Sequence, residues 1–289
     1  MRSEAAVRFG AFIRENFRTT VENSMRALSD KSDKMHSELP GNIKFPRPVS
    51  KRMCGQMEVY ESACDGKSDI TMIFLHGGAY CFPFSPSQWG FIADIASKTG
   101  CGFSTPNYPK LPNYTQKDSF PMVLEYYKEY EKNHDMSKVV IAGDSAGGSY
   151  VLTLMQKARD LGLPLPAKMI LLSPWVDIDG GNPEMNQYDD LIENEGTVLL
   201  GKAWASGIDL KDPAVSPLYG DMTGLPKTGL WVGTWEVLHD QNMLFHEKLK
   251  AAGVDVTLHI GEEMVHEYPL YPIPEGEEAR KQIADFILN

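Results

Sequence analysis

Short apolar runs of strand length alternate along this chain with longer segments of helical period, and that rhythm limits the folds open to it more than any other feature. Strands are predicted near residues 56–61, 69–75, 102–105, 138–142, 168–173, 228–233 and 254–260. Helices are predicted near residues 87–99, 116–133, 146–161, 240–252 and 277–288. A strand, a helix and a second strand pack economically only when the helix crosses the face of the sheet and the strands run parallel. The pattern therefore predicts an α/β fold, a mostly parallel central sheet with helices on both faces. No internal repeat is present, which leaves solenoids and propellers without support. A chain of 289 residues, 42% apolar and 23% charged, can build one such core, and a single domain over 1–289 is expected.

Three segments depart from the rhythm. Phe9, Phe12, Ile13, Phe17, Val21, Met25 and Leu28 recur at steps of three and four, which predicts one amphipathic helix covering part of its own protein, with a basic helix lying on a membrane as the lesser alternative. Residues 39–48, with three prolines and a glycine, read as extended linker. Residues 179–212, rich in Gly, Asn, Asp and Glu before an apolar patch at 198–204, predict an excursion over the sheet. The N-terminal segment 1–45 and this second excursion are expected to form a small helical cap.

Charge narrows the partners. With 28 basic and 39 acidic side chains the net charge is -11, which repels phosphate backbones and sets nucleic acid aside. The four cysteines, Cys54, Cys64, Cys81 and Cys101, form no C-x-x-C pair, so neither a zinc site nor a disulfide framework is expected. Apolar runs fall short of the roughly 20 residues that span a bilayer, and the N-terminus lacks the apolar core of a secretory signal. No stable membrane insertion and a cytoplasmic location are expected.

The chemistry gathers at two glycine-rich turns. Gly143, Asp144, Ser145, Ala146 and Gly147 follow a predicted strand and precede a predicted helix. A G-x-S-x-G sequence in that setting places its serine on a sharp turn, with small residues two positions either side because the turn has no room for a Cβ. The helix behind it points N–H groups and a positive dipole end at any anion formed there. The plainer reading is a tight glycine turn joining strand to helix. A second turn, His76, Gly77, Gly78, Ala79 and Tyr80, ends the strand at 69–75, where its backbone N–H groups could receive a tetrahedral oxyanion. His76 is expected to shape this loop by hydrogen bonding and not to act as a base.

At these residues the sequence resembles the α/β-hydrolase superfamily, and within it the esterases similar to hormone-sensitive lipase. The resemblance is carried by His76 to Tyr80, by the pair Asn107 and Tyr108, and by Gly143 to Gly148, and it covers roughly residues 56–289. It implies an α/β-hydrolase fold in which Gly78, Ala79 and Ala146 supply oxyanion donors, with Gly77 shaping the turn and acting as a further contributor. Ala79 stands where the family has a third glycine, a change of little consequence if only its N–H is used. The family's acid lies in an Asp-Pro-Leu-x-Asp pattern, and this chain reads Glu236, Val237, Leu238, His239 and Asp240. Position matching assigns the acid to Glu236. Asp240 is the rival, its plainer role being the N-cap of the following helix.

Of the seven histidines, the base has to follow the acid in chain order and lie on a loop at the sheet's carboxyl edge, which His266 does. His259 falls inside a predicted strand, His239 and His246 on a helix, and His36 and His134 in polar segments expected to be solvated. None has the spacing of a metal ligand, and no cofactor is expected. The resemblance thus implies a serine hydrolase, a short-chain carboxylesterase with Ser145, Glu236 and His266 as triad. An amidase or deformylase of the same fold is the alternative, and a non-catalytic binder a remoter one. The partner expected is a small-molecule ester, with a homodimer admitted. Phe82, Phe84, Trp89, Trp175 and Trp204 are candidate pocket walls or plain core.

Overall fold

In the computed structural model, which describes residues 2–32, 34–35 and 38–289, the chain runs α1 (Glu4–Asn16), α2 (Val21–Ser29), β1 (Ser50–Cys54), β2 (Met57–Ser62), β3 (Thr71–Leu75), α3 (Pro86–Thr99), β4 (Gly102–Pro106), α4 (Gln116–Asn133), β5 (Val139–Asp144), α5 (Ser145–Asp160), β6 (Lys168–Leu172), α6 (Asn194–Ala205), β7 (Lys227–Gly233), α7 (His239–Ala251), β8 (Val256–Gly261) and α8 (Pro274–Leu288). The strands form one sheet in the order β1-β2-β4-β3-β5-β6-β7-β8, parallel from β4 to β8, with antiparallel pairing of β2 to β1 and to β4.

Successive side chains of the inner strands divide between two cores, as the period of two requires. Ile73, Leu75, Ile141, Met169, Leu171 and Leu230 meet α4, α5 and α7 on one face. Met72, Phe74, Val140, Ala142, Ile170, Leu172 and Trp231 meet α3 and α8 on the other. Burial on both faces is why these strands read as continuous apolar runs. All of β5 is buried, and it delivers its carboxyl end to the middle of the sheet's edge.

The structure departs from the sequence expectation in two elements. Strand β1 was not foreseen, because an edge strand reading Ser-Lys-Arg-Met-Cys, largely exposed, carries no apolar alternation. The N-terminal pattern forms two helices in place of one. Thr20 caps α2 by accepting the Asn23 N–H at 3.2 Å, and Thr19 forms a bridge to Ile192 in the segment before α6. The break leaves Phe12, Phe17, Val21 and Met25 exposed, although their spacing marked them for burial. The two departures from the sheet lie together: Arg2 and Arg14 both reach Asp190, at 2.8 and 2.9 Å, and a Cβ on Gly196 of α6 would lie 2.2 Å from the Thr19 carbonyl oxygen. Among the described residues no helix is long and apolar enough to cross a membrane.

Candidate active site

Ser145 stands between β5 and α5 at φ +48, a left-handed conformation that costs a residue with a Cβ about 1 kcal/mol or more. The flanking glycines make the turn feasible. A Cβ at Gly143 would lie 2.5 Å from the Gly147 carbonyl oxygen, and one at Gly147 would lie 2.0 Å from the Leu75 carbonyl oxygen. The turn is braced further by the Trp175 N–H, which donates to the Ser145 carbonyl at 2.9 Å.

The loop after β3 takes the same unusual backbone, with Gly78 at φ +106, Ala79 at +50 and Tyr80 at +56. Ala79 therefore occupies a conformation that glycine would take without strain, so the change from the family's glycine is not neutral for the backbone. Among the described residues the N–H groups of Gly78, Ala79 and Ala146 have no protein acceptor. Gly77 differs. Its N–H donates to Asp144 Oδ1 at 2.9 Å, so the oxyanion contribution expected of Gly77 falls away while its turn-shaping role stands. A Cβ there would lie 2.4 Å from Asp144 Oδ2, which explains the glycine.

His76 behaves as a structural group. Its ring stacks on Tyr108 with centroids 4.6 Å apart, Nδ1 lies 2.6 Å from the Gly77 carbonyl, and Nε2 lies 3.3 Å from Lys110 Nζ. A carbonyl only accepts and an ammonium only donates, so the neutral ring carries its proton on Nδ1. Burial, aided by the Lys110 charge, holds its pKa well below the usual histidine range.

The acid and the base come from loops after β7 and β8. Glu236 and His266 are both fully buried, and His266 Nδ1 lies 3.0 Å from Glu236 Oε2. The other carboxylate oxygen accepts the Gly233 N–H at 3.2 Å, fixing the carboxylate plane. Since the carboxylate can only accept, Nδ1 carries the hydrogen and Nε2 is left with its lone pair. Nε2 is buried and makes no hydrogen bond, so the contact to Ser145 is not closed, as is common before substrate binds. Ser145, His266, Gly78 and Ala79 line one cavity of about 750 Å³.

Asp240 is elsewhere. Leu238 is the N-cap of α7, and Asp240 lies in its first turn accepting from Asn182 Nδ2 at 2.9 Å, which corrects the N-cap expected of it. His259 of β8 stacks on Trp231 of β7, His239 sits 2.9 Å from the Gly233 carbonyl, and His134 is exposed, as expected of its polar segment, with one face stacked on Tyr130 at 3.8 Å. His36 lies outside the described residues. Of the expected walls, Phe82, Phe84 and Trp175 line the cavity, joined by Phe9, Phe12 and Phe17. Trp89 and Trp204 are core instead, stacked on Phe84 and Tyr80 at 4.0 and 4.3 Å.

Several buried polar residues were not singled out from sequence. Asp144 accepts Gln88 Nε2 at 2.7 Å as well as the Gly77 N–H, tying α3 and the β3 loop to the serine turn. Asp189, in the excursion, accepts the Val237 N–H at 2.9 Å and so holds the loop that carries Glu236. Burial pushes Asp189 up to about 6. Glu267, beside the base, is buried against Asp144. No spacing rule marks such residues, since their partners are far away in the chain.

Residues 72–270 match the family model described as the alpha/beta hydrolase fold, and the chain belongs to that family. An acetyl-hydrolase of Streptomyces hygroscopicus is 30% identical over 86% of this chain and 84% of its own length. An esterase of Acinetobacter venetianus is 27% identical over 91% of this chain and 88% of its own. Among solved structures, an esterase from the bacterial hormone-sensitive lipase family superposes with a TM-score of 0.82 at 25% identity, covering 99% of this chain and 98% of that one. The chain is a hydrolase and, within its family, resembles the hormone-sensitive lipase branch.

Proposed function

We propose that the protein is a serine carboxylesterase acting on short-chain acyl esters. The observation that carries the reading is the His266 Nδ1 to Glu236 contact of 3.0 Å, which leaves Nε2 without a hydrogen bond in a residue that lines the same cavity as Ser145. His266 takes the proton from Ser145 as its oxygen attacks the ester carbonyl, and Glu236 holds the imidazole's tautomer and stabilises the imidazolium. The unbonded N–H groups of Gly78, Ala79 and Ala146 receive the oxyanion, each worth on the order of 3 kcal/mol in the transition state. His266 then returns the proton to the leaving alcohol, and water hydrolyses the acyl-enzyme with the same base.

The relatives named esterase and acetyl-hydrolase support ester over amide as substrate. The segments 1–45 and 179–212 act as the cap: Phe9, Phe12 and Phe17 from the first and Leu191 and Ile192 from the second line the cavity. Free thiols at Cys54, Cys64, Cys81 and Cys101 are in keeping with a cytoplasmic location. A fluorophosphonate probe should label Ser145 stoichiometrically, and an ester series from acetate to octanoate should peak at the short end. Unmodified protein after long exposure overturns the mechanism, and a peak at octanoate overturns only the chain-length preference.

A further inference from the structure

Glu267 follows the base directly, and the mechanism above gives it no task. It is buried, and its backbone is held at φ +59, with its N–H donating to Ser173 Oγ at 3.2 Å. A left-handed glutamate is strained where an asparagine or glycine would largely not be. The conformation sends its carboxyl between two parts of the site. Oε1 lies 3.6 Å from His266 Nε2, and it shares the space over Gly77 with the Asp144 carboxyl: a Cβ at that glycine would meet Asp144 Oδ2 at 2.4 Å and Glu267 Oε1 at 2.8 Å.

Two carboxyl groups can hydrogen-bond to each other only through a proton. Asp144 already accepts from the Gly77 N–H and from Gln88 Nε2, both of which favour its charged form. Glu267 is therefore the partner that keeps the proton. Burial, with the Asp144 charge beside it, raises its pKa well above the usual carboxyl range, in agreement with the geometry.

The geometry points to Glu267 as a positioning residue of the acyl transfer: by donating to Asp144 it joins the loop of Gly78 and Ala79 to the base, and as an uncharged neighbour it leaves His266 Nε2 to Ser145. This inference rests on the serine-hydrolase reading above. An ionised Glu267 would compete for the proton that the imidazolium has to return to the leaving alcohol. It would also face Asp144 at the end of β5, Glu236 after β7 and Asp189 of the excursion, all buried acids, with the phenols of Tyr108 and Tyr271 close by. Gln88, the contribution of α3, is uncharged, and Arg2 and Arg14 are taken up by Asp190. The site thus works with the pair singly protonated, and loss of that proton closes the activity on the alkaline side.

The test is kcat/KM for p-nitrophenyl acetate from about pH 5 to about pH 10, in the wild type, Glu267→Gln and Glu267→Leu. The wild type should lose activity at both ends. Glu267→Gln still donates to Asp144 but cannot ionise, so it should keep the acid limb and lose the alkaline one. Glu267→Leu should lower kcat by roughly tenfold or more with KM within about threefold, as removal of a supporting hydrogen bond does. An alkaline limb shared by Glu267→Gln and the wild type, or a wild-type kcat in Glu267→Leu, overturns the role of Glu267. Absent fluorophosphonate labelling of the wild type overturns the mechanism beneath it, a different result. A second readout needs no turnover. The folded protein retains this proton at pH values where the unfolded chain has released it, so the stability it confers is whole below the usual carboxyl range and shrinks as pH rises. The wild-type Tm should fall with pH more steeply than that of Glu267→Gln, and parallel curves overturn the assignment of the proton.

Discussion

Replacing Glu236 by Gln tests the site at its electrostatic centre. The amide has the shape of the carboxyl, and its oxygen can still accept the Gly233 N–H that now reaches Glu236 Oε1 at 3.2 Å. The NH2 group then faces His266 Nδ1, which lies 3.0 Å from Glu236 Oε2 in the native site. Two donors cannot share that contact, so Nδ1 must become an acceptor and the ring proton moves to Nε2, the atom that has to take the proton from Ser145. The charge is lost as well. An imidazolium and a carboxylate about 4 Å apart attract by about 4 kcal/mol at an effective dielectric of ~20. That energy, absent from the transition state, corresponds to roughly a thousandfold in kcat. The tautomer change carries the loss toward roughly ten-thousandfold. The assay is kcat on p-nitrophenyl acetate, with the Tm recorded to show that the variant is folded. Asp240→Asn is the control: its carboxylate accepts from Asn182 at the start of α7, so its loss should change kcat by less than about threefold. A folded Glu236→Gln within tenfold of wild type, or a larger loss in Asp240→Asn, would refute the reasoning.

Two further substitutions examine how the site is held. Gly147→Ala puts a Cβ 2.0 Å from the Leu75 carbonyl oxygen, a backbone contact with nowhere to yield, and should cost about 3 kcal/mol or more, read as a large drop in Tm; an unchanged Tm would mean that the turn is looser than described. Asp189, pushed by burial from 3.8 to about 6, should confer stability that is whole below about pH 4 and lost as pH rises through about 6, amounting to about 3 kcal/mol. Asp189→Asn should flatten that slope in Tm, while setting an amide N–H against the Val237 N–H and so loosening the Glu236 loop. A slope that survives the substitution assigns it to another group.

Much of the fold is legible in the sequence, for physical reasons that differ by element. The inner strands were legible because burial on both faces demands unbroken apolar runs, and the outer helices because they present an apolar stripe, whereas α5 is buried along nearly its whole length. Strand β1 was not, since pairing along its exposed edge leaves no mark on its side chains. The division of α1 from α2 was hidden because the apolar spacing continues through it, while the capping by Thr20 and the bridge of Thr19 to Ile192 decide the geometry. Gly77 was legible as a turn residue, but its N–H is spent on Asp144, a partner that only the folded chain brings near.

What the sequence by itself determined is the kind of residue needed at each chemical position: small residues around Ser145, glycine in the loop after β3, a carboxylate after β7 and an imidazole after β8. These are local requirements of turn and strand end, so they leave local marks. What only the tertiary structure decided is the company those residues keep. The pairing of Glu236 with His266, the orphaned Nε2, and the buried acids Asp144, Asp189 and Glu267 around them arise from separate loops meeting at one edge of the sheet. Among those buried groups one proton more or less matters, and the linear order of the chain carries no record of which carboxyl holds it.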